Sequence, residues 1–365
     1  MSEEKGIKMD DFYGQIARRP RLDLVVDKAE SEYWSKTFEG SNDITLYSWA
    51  RNGWVENLRD NKKHFGYFHR DHSIKIYVNE FVGKPMIFVG AGPSLELNIE
   101  ALKLAKELKV PILCSSHALM YLADYEIKPD FVIMLDAGKM WTDYLNAGKM
   151  DMTDVPLICD QVCDPEQLKT WKGPVVFFKS ASPMESNIAK FVQMEMNRLV
   201  PPNENASILD VGGHVAGAAL SLMKGMFAVN TIIFCGADYC SAFDPEKPGK
   251  FYPFEKKIDA VVNTENPDGT FSEKPSAPHY DGQILDIFGR PVFSNGSYLG
   301  FKNIMDASIK AAVVGTNPAE DFEVINATEG GALGALKGGN LKYMSYMRLQ
   351  DAIHYANNKR LVKGM

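Results

Sequence analysis

Three apolar runs in this chain end on an aspartate: Ile133–Asp136, Leu157–Asp160 and Phe234–Asp238. In open α/β sheets the ligand lies beyond the carboxyl ends of the strands, so runs that end on acids are candidates to bring carboxylates to one crevice. There Asp136 and Asp238 could ligate Mg²⁺, accept hydrogen bonds from ribose hydroxyls or act as a general base. The plainer alternative is that each caps the helix that follows it.

Gly90-Ala91-Gly92-Pro93-Ser94-Leu95 adds a second kind of chemistry. It follows the apolar run Pro85–Val89 and precedes a helical pattern with Leu97, Ala101, Leu104, Ala105 and Leu108, which reads as strand, glycine turn, helix. Such a turn aims backbone N–H groups and the positive end of a helix at one point, which suits a phosphate. On this reading Gly90, Ala91, Gly92, Pro93 and Ser94 bind a nucleotide, and a side chain at Gly92 is expected to block its approach while leaving the protein folded. Gly212-Gly213-His214 opens another helical pattern and is a second candidate anion cradle, with His214 as proton donor or charge partner. Ser116 and His117 follow the next apolar strand, placed to touch a base or sugar. His279 lies in a long irregular insertion and could arrive as acid or base on closure. In Asn326-Ala327-Thr328-Glu329-Gly330-Gly331, Thr328 and Glu329 could hold a sugar or a metal-bound water, a structural turn being the alternative.

Two familiar phosphate loops are absent here. A Walker loop needs Lys followed by Ser or Thr, and the turn contains no Lys. The dinucleotide fingerprint needs a third glycine where Leu95 stands, and an acid about twenty residues on where the next strand ends in Ser115-Ser116. A mononucleotide or a nucleotide-activated group fits better than a nicotinamide cofactor.

The elements that must position these residues alternate from Pro85 onward. The pattern predicts strands near 85–90, 110–115, 130–135, 155–159, 174–178, 231–236, 291–294 and 322–325. Helices are predicted near 96–108, 116–126, 184–198 and 213–228, from Tyr298, and near 341–357. Continuous apolar runs between helices argue for a Rossmann-like, mainly parallel sheet with helices on both faces. Residues 239–291, rich in Pro, Gly, Asp and Lys, read as an insertion or lid. Residues 1–84 read as an aromatic accessory segment (Tyr33, Trp34, Tyr47, Trp49, Trp54, Phe65, Tyr67, Phe68), 85–335 as the nucleotide-binding domain and 336–365 as a C-terminal helix.

A chain of 365 residues with 45% hydrophobic content can bury a large core. A formal net charge of −7 offers no basic excess for nucleic acid. The sequence shows neither a membrane-spanning run nor the apolar core of a signal peptide. Five cysteines, several in apolar runs, suit free thiols in a reducing cytoplasm, and Cys159/Cys163 lack the second pair that a zinc site needs.

Taken in order, Gly90–Leu95, Lys128–Asp136, Gly212–Ala216, Ile233–Asp238 and Asn326–Gly331 resemble the MptE-like family. That family includes archaeal 6-hydroxymethylpterin diphosphokinases and bacterial motility accessory factors that glycosylate flagellin. The Gly-Pro-Ser turn is also similar to the nucleotide loop of bacterial sialyltransferases that use a CMP-sugar. The resemblance implies a transferase that takes either a nucleotide-sugar donor of CMP type or Mg·ATP. The partners would be a protein or glycan acceptor, and a homo-oligomer is compatible with it. A diphosphokinase of this kind is expected to carry an Asp-Gly-Asp-like run after the third strand, whereas Asp136 is followed by Ala137-Gly138-Lys139. Trp54–Asn61 and Phe293–Tyr298 look more like the accessory-factor branch. The resemblance therefore favours transfer of a sugar, such as a nonulosonic acid, with the diphosphokinase as first alternative and a non-catalytic nucleotide-binding or structural protein as second.

Overall fold

The computed structural model describes residues 54–66, 72–135, 145, 147–181, 207–244, 261–265, 271–275, 282–316 and 321–362. Asp136, His279, the predicted helix at 184–198 and the aromatic residues before Trp54, with Tyr67 and Phe68, lie outside them.

Nine strands make one sheet. In chain order they are β1 (Pro85–Val89), β2 (Ile112–Ser115), β3 (Phe131–Met134), β4 (Leu157–Asp160), β5 (Val175–Ala181), β6 (Ile208–Asp210), β7 (Thr231–Cys235), β12 (Glu323–Asn326) and β15 (Ser345–Tyr346). Their spatial order is β15-β12-β7-β1-β2-β3-β4-β5-β6, and every neighbouring pair is parallel. The first six strands step outward in one direction. The chain then returns to the free edge of β1 with β7 and steps the other way. The order therefore reverses between β1 and β7, which is where an open α/β sheet leaves a crevice.

Alternation along β1 shows why both faces are covered. Ile87 and Val89 face one core with Leu102 and Ala105 of α2 (Ile99–Glu107), Leu119 and Leu122 of α3 (Ser116–Asp124), and Ile353 of α7 (Leu349–Val362). Met86 and Phe88 face a second core with Ala218 and Ala219 of α5 (Val215–Ser221) and Met305 and Ile309 of α6 (Gly296–Val314). All five β1 side chains are buried, so the strand reads as one apolar run rather than an alternating one.

The ends of the described chain belong to the same body. Leu58 of α1 (Val55–Phe65) and Leu349, Ala352 and Ala356 of α7 share the first core with Ile87. Asn57 and Asn61, one turn apart on α1, donate to the carbonyls of Val162 and of Gln161 and Cys163, just ahead of the short α4 (Pro165–Leu168). The predicted boundaries at 84 and 336 therefore cut across a continuous core. The predicted last helix starts at Leu349 instead of 341, because residues 335–346 form the short strands β13 (Ala335–Leu336) and β14 (Gly339–Asn340), and β15.

The run at 291–294 is a strand, but not of the main sheet. β11 (Pro291–Ser294) pairs antiparallel with β10 (Gly282–Leu285) in a hairpin. Asp286 ties its turn, accepting the Phe288 and Arg290 N–H groups and the Arg290 guanidinium. β8 (Val261–Glu265) and β9 (Phe271–Pro275) form another antiparallel pair within the predicted insertion. No described helix is long and apolar enough to cross a membrane.

Candidate active site

The register of β1 against β7 builds the site. Val89 lies opposite Cys235, so the strands leave the sheet together at Gly90 and Gly236. The two glycines pack backbone on backbone: a Cβ on Gly90 would run into the Gly236 carbonyl, and one on Gly236 into that of Gly90. Gly236 also holds φ +66°, a conformation that L side chains rarely adopt. A Cβ on Gly92 would strike the Asp238 carboxylate and sit 2.7 Å from the Gly236 carbonyl.

This geometry corrects the expectation for Gly92. A side chain there meets the protein's own carboxylate before any ligand, so substitution cannot be a clean probe of phosphate approach. Gly90 N–H donates to Cys235 O at 2.8 Å, Gly92 N–H to Gly236 O at 2.7 Å and Leu95 N–H to Gly92 O at 3.0 Å. Much of the turn's donor capacity thus zips β1 to β7. Pro93 opens a short 3-10 segment (Pro93–Asn98) that leads into α2.

Asp238 is the chemical centre of this arrangement. It is 3% exposed. Ser94 Oγ donates to its Oδ2 at 2.8 Å. Burial pushes its carboxyl up to about 7, against hydrogen bonds from the Ser94 side chain and backbone that favour the ionised form. A carboxyl that ionises near neutral pH inside a cleft is suited to take and return a proton.

Asp238 lines a cavity of about 410 Å³ at the reversal point, together with Gly90, Ala91, Gly92, Ser116, His117, Gly213 and His214. Eight of the residues singled out from sequence therefore share one wall system. The ends of β1, β2 and β7 and the starts of α3 and α5 bring them there. The size is within the range of small-molecule sites.

His214 sits differently from its expected role. It is 8% exposed, and burial lowers its pKa to about 4, so the ring is neutral at physiological pH. Nδ1 is 3.1 Å from the Gly212 carbonyl, which can only accept, so Nδ1 carries the proton. Nε2 then accepts from the Tyr239 hydroxyl at 2.8 Å. Both nitrogens are engaged, and the ring stacks on Phe301 with centroids 5.0 Å apart and planes at 8°. His214 is a fixed strut rather than a poised proton donor. Gly212 itself turns the chain at φ +54° with its N–H on Asp210 Oδ1 at 3.2 Å.

Thr328 and Glu329 support the cleft from behind instead of lining it. Thr328 Oγ1 accepts Gly331 N–H at 3.3 Å, and Ala332 N–H reaches Asp238 O at 2.8 Å. Glu329 Oε1 accepts Leu349 N–H at 3.0 Å and so caps α7. Asp160 does not gather with Asp238. It ends β4, with β2 and β3 between it and β1, and is bonded to Ser180 Oγ and to Val162 N–H at 3.2 Å. Burial raises its carboxyl to about 6. Among the described residues no group of three or more His, Cys, Asp or Glu side chains could hold a metal.

Sequence reasoning missed the far wall, made by Tyr239, Tyr298 and Phe301 with Leu135 and Cys240. Tyr239 had a signal, since it directly follows Asp238. Tyr298 and Phe301 had only their helical spacing, at the start of an element that reaches the cleft through the fold.

A family model described as 6-hydroxymethylpterin diphosphokinase MptE-like matches residues 55–243, just over half of the chain. The MAf glycosyltransferase from Magnetospirillum magneticum AMB-1 shares the fold, with a TM-score of 0.51 at 16% identity. That likeness covers 85% of this chain and 42% of that one, so this chain spans less than half the length of the other. No curated protein matches.

Proposed function

The chain belongs to the MptE-like family, and from its cleft we propose that it is a nucleotide-dependent transferase that moves a sugar from a nucleotide-sugar donor to a protein or glycan acceptor. The observation that carries the reading is Asp238: a buried carboxyl, raised to about 7 and oriented by Ser94, on the wall of a cavity at the β1/β7 reversal. The fold shared with a glycosyltransferase supports the sugar branch.

In this mechanism Asp238 as carboxylate accepts the proton of the acceptor hydroxyl as its oxygen attacks the anomeric carbon. The bond from that carbon to the donor's phosphate oxygen breaks, and the nucleotide leaves with the electron pair. Ser94 holds the carboxylate in place. The start of α3 presents the positive end of its backbone dipole to the leaving phosphate. A nonulosonic acid on CMP is the donor we favour. If a divalent ion assists, Asp136 and Asp238 are the residues we assign to it, and His279 is kept as a candidate acid or base.

The family model's own description favours a second reading, transfer of diphosphate from ATP to a hydroxymethylpterin. Calorimetric titration with CMP, CDP, UDP and ATP separates the two. Tightest binding of a cytidine nucleotide supports sugar transfer. Preference for ATP, with AMP released only when the pterin alcohol is present, replaces it with the diphosphokinase. Failure of every nucleotide to bind refutes both and leaves the non-catalytic alternative.

A further inference from the structure

The cleft has two chemically different sides. Asp238 and Tyr239 are adjacent, yet their side chains diverge: the carboxylate turns to Ser94 on the β1 side, and the phenol turns to His214 at the start of α5. Tyr239 achieves this with φ +55°, a left-handed backbone that strains a non-glycine residue. Its ring lies at 57° to the His214 ring with centroids 5.6 Å apart, while Phe301 lies flat against His214. Tyr298 and Phe301, three residues apart on α6, point from the same helix face into the same cavity. The same cavity is lined by Gly90, Ala91, Gly92, Gly236 and Ala237, which bring nothing larger than a methyl group.

We infer that the aromatic side, built by Tyr239, Tyr298 and Phe301 around the pinned His214 ring, seats the flat nitrogen heterocycle of the nucleotide, and that the Ser94–Asp238 side receives the group that reacts. This assignment rests on the nucleotide reading above and adds to it which residues select the base. A flat ring stacks on aromatic faces whatever its substituents, and the glycines that share the cavity bring no side chains to fill it. The two hydrogen bonds of His214 stop that platform from rotating, so the strained Tyr239 backbone holds a ready-made surface.

The test uses the full chain and four probes: CMP, UMP, AMP and ribose 5-phosphate, which lacks the base. Calorimetry is expected to show the preferred nucleotide binding at least tenfold tighter than ribose 5-phosphate. Phe301→Leu and Tyr298→Leu are each expected to lose about tenfold or more for the nucleotide and less than twofold for ribose 5-phosphate. Phe301→Tyr, which keeps the ring, is expected to stay within about threefold of the parent. Circular dichroism identifies variants that remain folded, and the Leu variants sit at two positions so that one failure to fold leaves the other. Saturation-transfer NMR on the parent protein reads the seat without any substitution: saturation is expected to be strongest at the base protons. Strongest saturation at the ribose, equal affinity for ribose 5-phosphate, or undiminished nucleotide binding by a folded Leu variant overturns the assignment while leaving nucleotide binding itself standing. No binding of any nucleotide by the parent refutes the nucleotide reading and this assignment with it.

Discussion

Asp238 is held in the state that costs the fold most when ionised. Its folded pKa of about 7 lies above the roughly 3.9 of an unfolded aspartate. Between those values the folded chain binds a proton that the unfolded chain has released. Stability linked to this group is therefore complete below pH ~4, falls as pH rises and levels off above about pH 7. Asp238→Asn removes the ionisation, so at pH 8 the variant is expected to melt higher than the parent, and at pH 4 the gap is expected to close. Thermal unfolding across pH measures it, and a variant that melts lower at pH 8 contradicts the burial argument. In activity the same substitution is expected to cut turnover by about 10² or more while nucleotide affinity changes less than threefold. Turnover in the parent is expected to rise with pH through about 7. Ser94→Ala removes a hydrogen bond that favours the carboxylate, so that rise is expected to move to higher pH. A pH–rate profile that does not move assigns the rise to another group.

Among the elements, the joint between β1 and β7 is the feature on which the cleft depends. Gly90 and Gly236 each stand where a Cβ would enter the other's carbonyl. Gly236→Ala adds a left-handed backbone to that clash, and is expected to destabilise the protein by about 3 kcal/mol or more, read by urea unfolding. Gly225 provides the contrast, because nothing lies within 4 Å of a Cβ there. It sits in the π-helical turn Leu222–Met226, and Gly225→Ala is expected to be neutral or to stabilise by up to ~1 kcal/mol. Equal effects at the two sites would show that the joint carries no special load. The glycine turn was legible in the sequence because an apolar strand, two glycines and a helical period occur within a few residues. Its partner was not, because only the parallel register of Val89 with Cys235 brings Gly236 to it.

At the scale of the whole molecule, long apolar strands such as Thr231–Cys235 announced the parallel sheet, since burial on both faces leaves a continuous run. Short edge strands did not. β6 has three residues with Leu209 alone buried, and β15 has two, so neither carries a period that local reading could find. The run at 291–294 resembled a sheet strand because Val292 is buried, but its partner is the hairpin strand β10. The far wall of the cleft was hidden for the same reason, as α6 is placed only by its tertiary packing on α5 and β12. The C-terminal segment is integral to this body: β15 extends the sheet, and α7 buries Leu349, Ala352, Ile353 and Ala356 in the first core. Removal of residues 345–365 is expected to abolish cooperative unfolding and soluble expression, and a truncated protein that unfolds cooperatively like the parent would show that the segment is an appendage.

We propose the reversal between β1 and β7 as a nucleotide site with Asp238 at its reacting end. The most direct measurement is a crystal structure of the full chain soaked with the nucleotide that calorimetry ranks first. The ligand is expected in the cleft lined by Gly90–Gly92 and Gly236–Tyr239. Its base should lie against Tyr239, Tyr298 and Phe301 and its phosphate at the start of α3, with Asp238 within hydrogen-bond reach of the space beyond that phosphate. A nucleotide bound at any other place on the sheet, with this cleft holding only solvent, would contradict it.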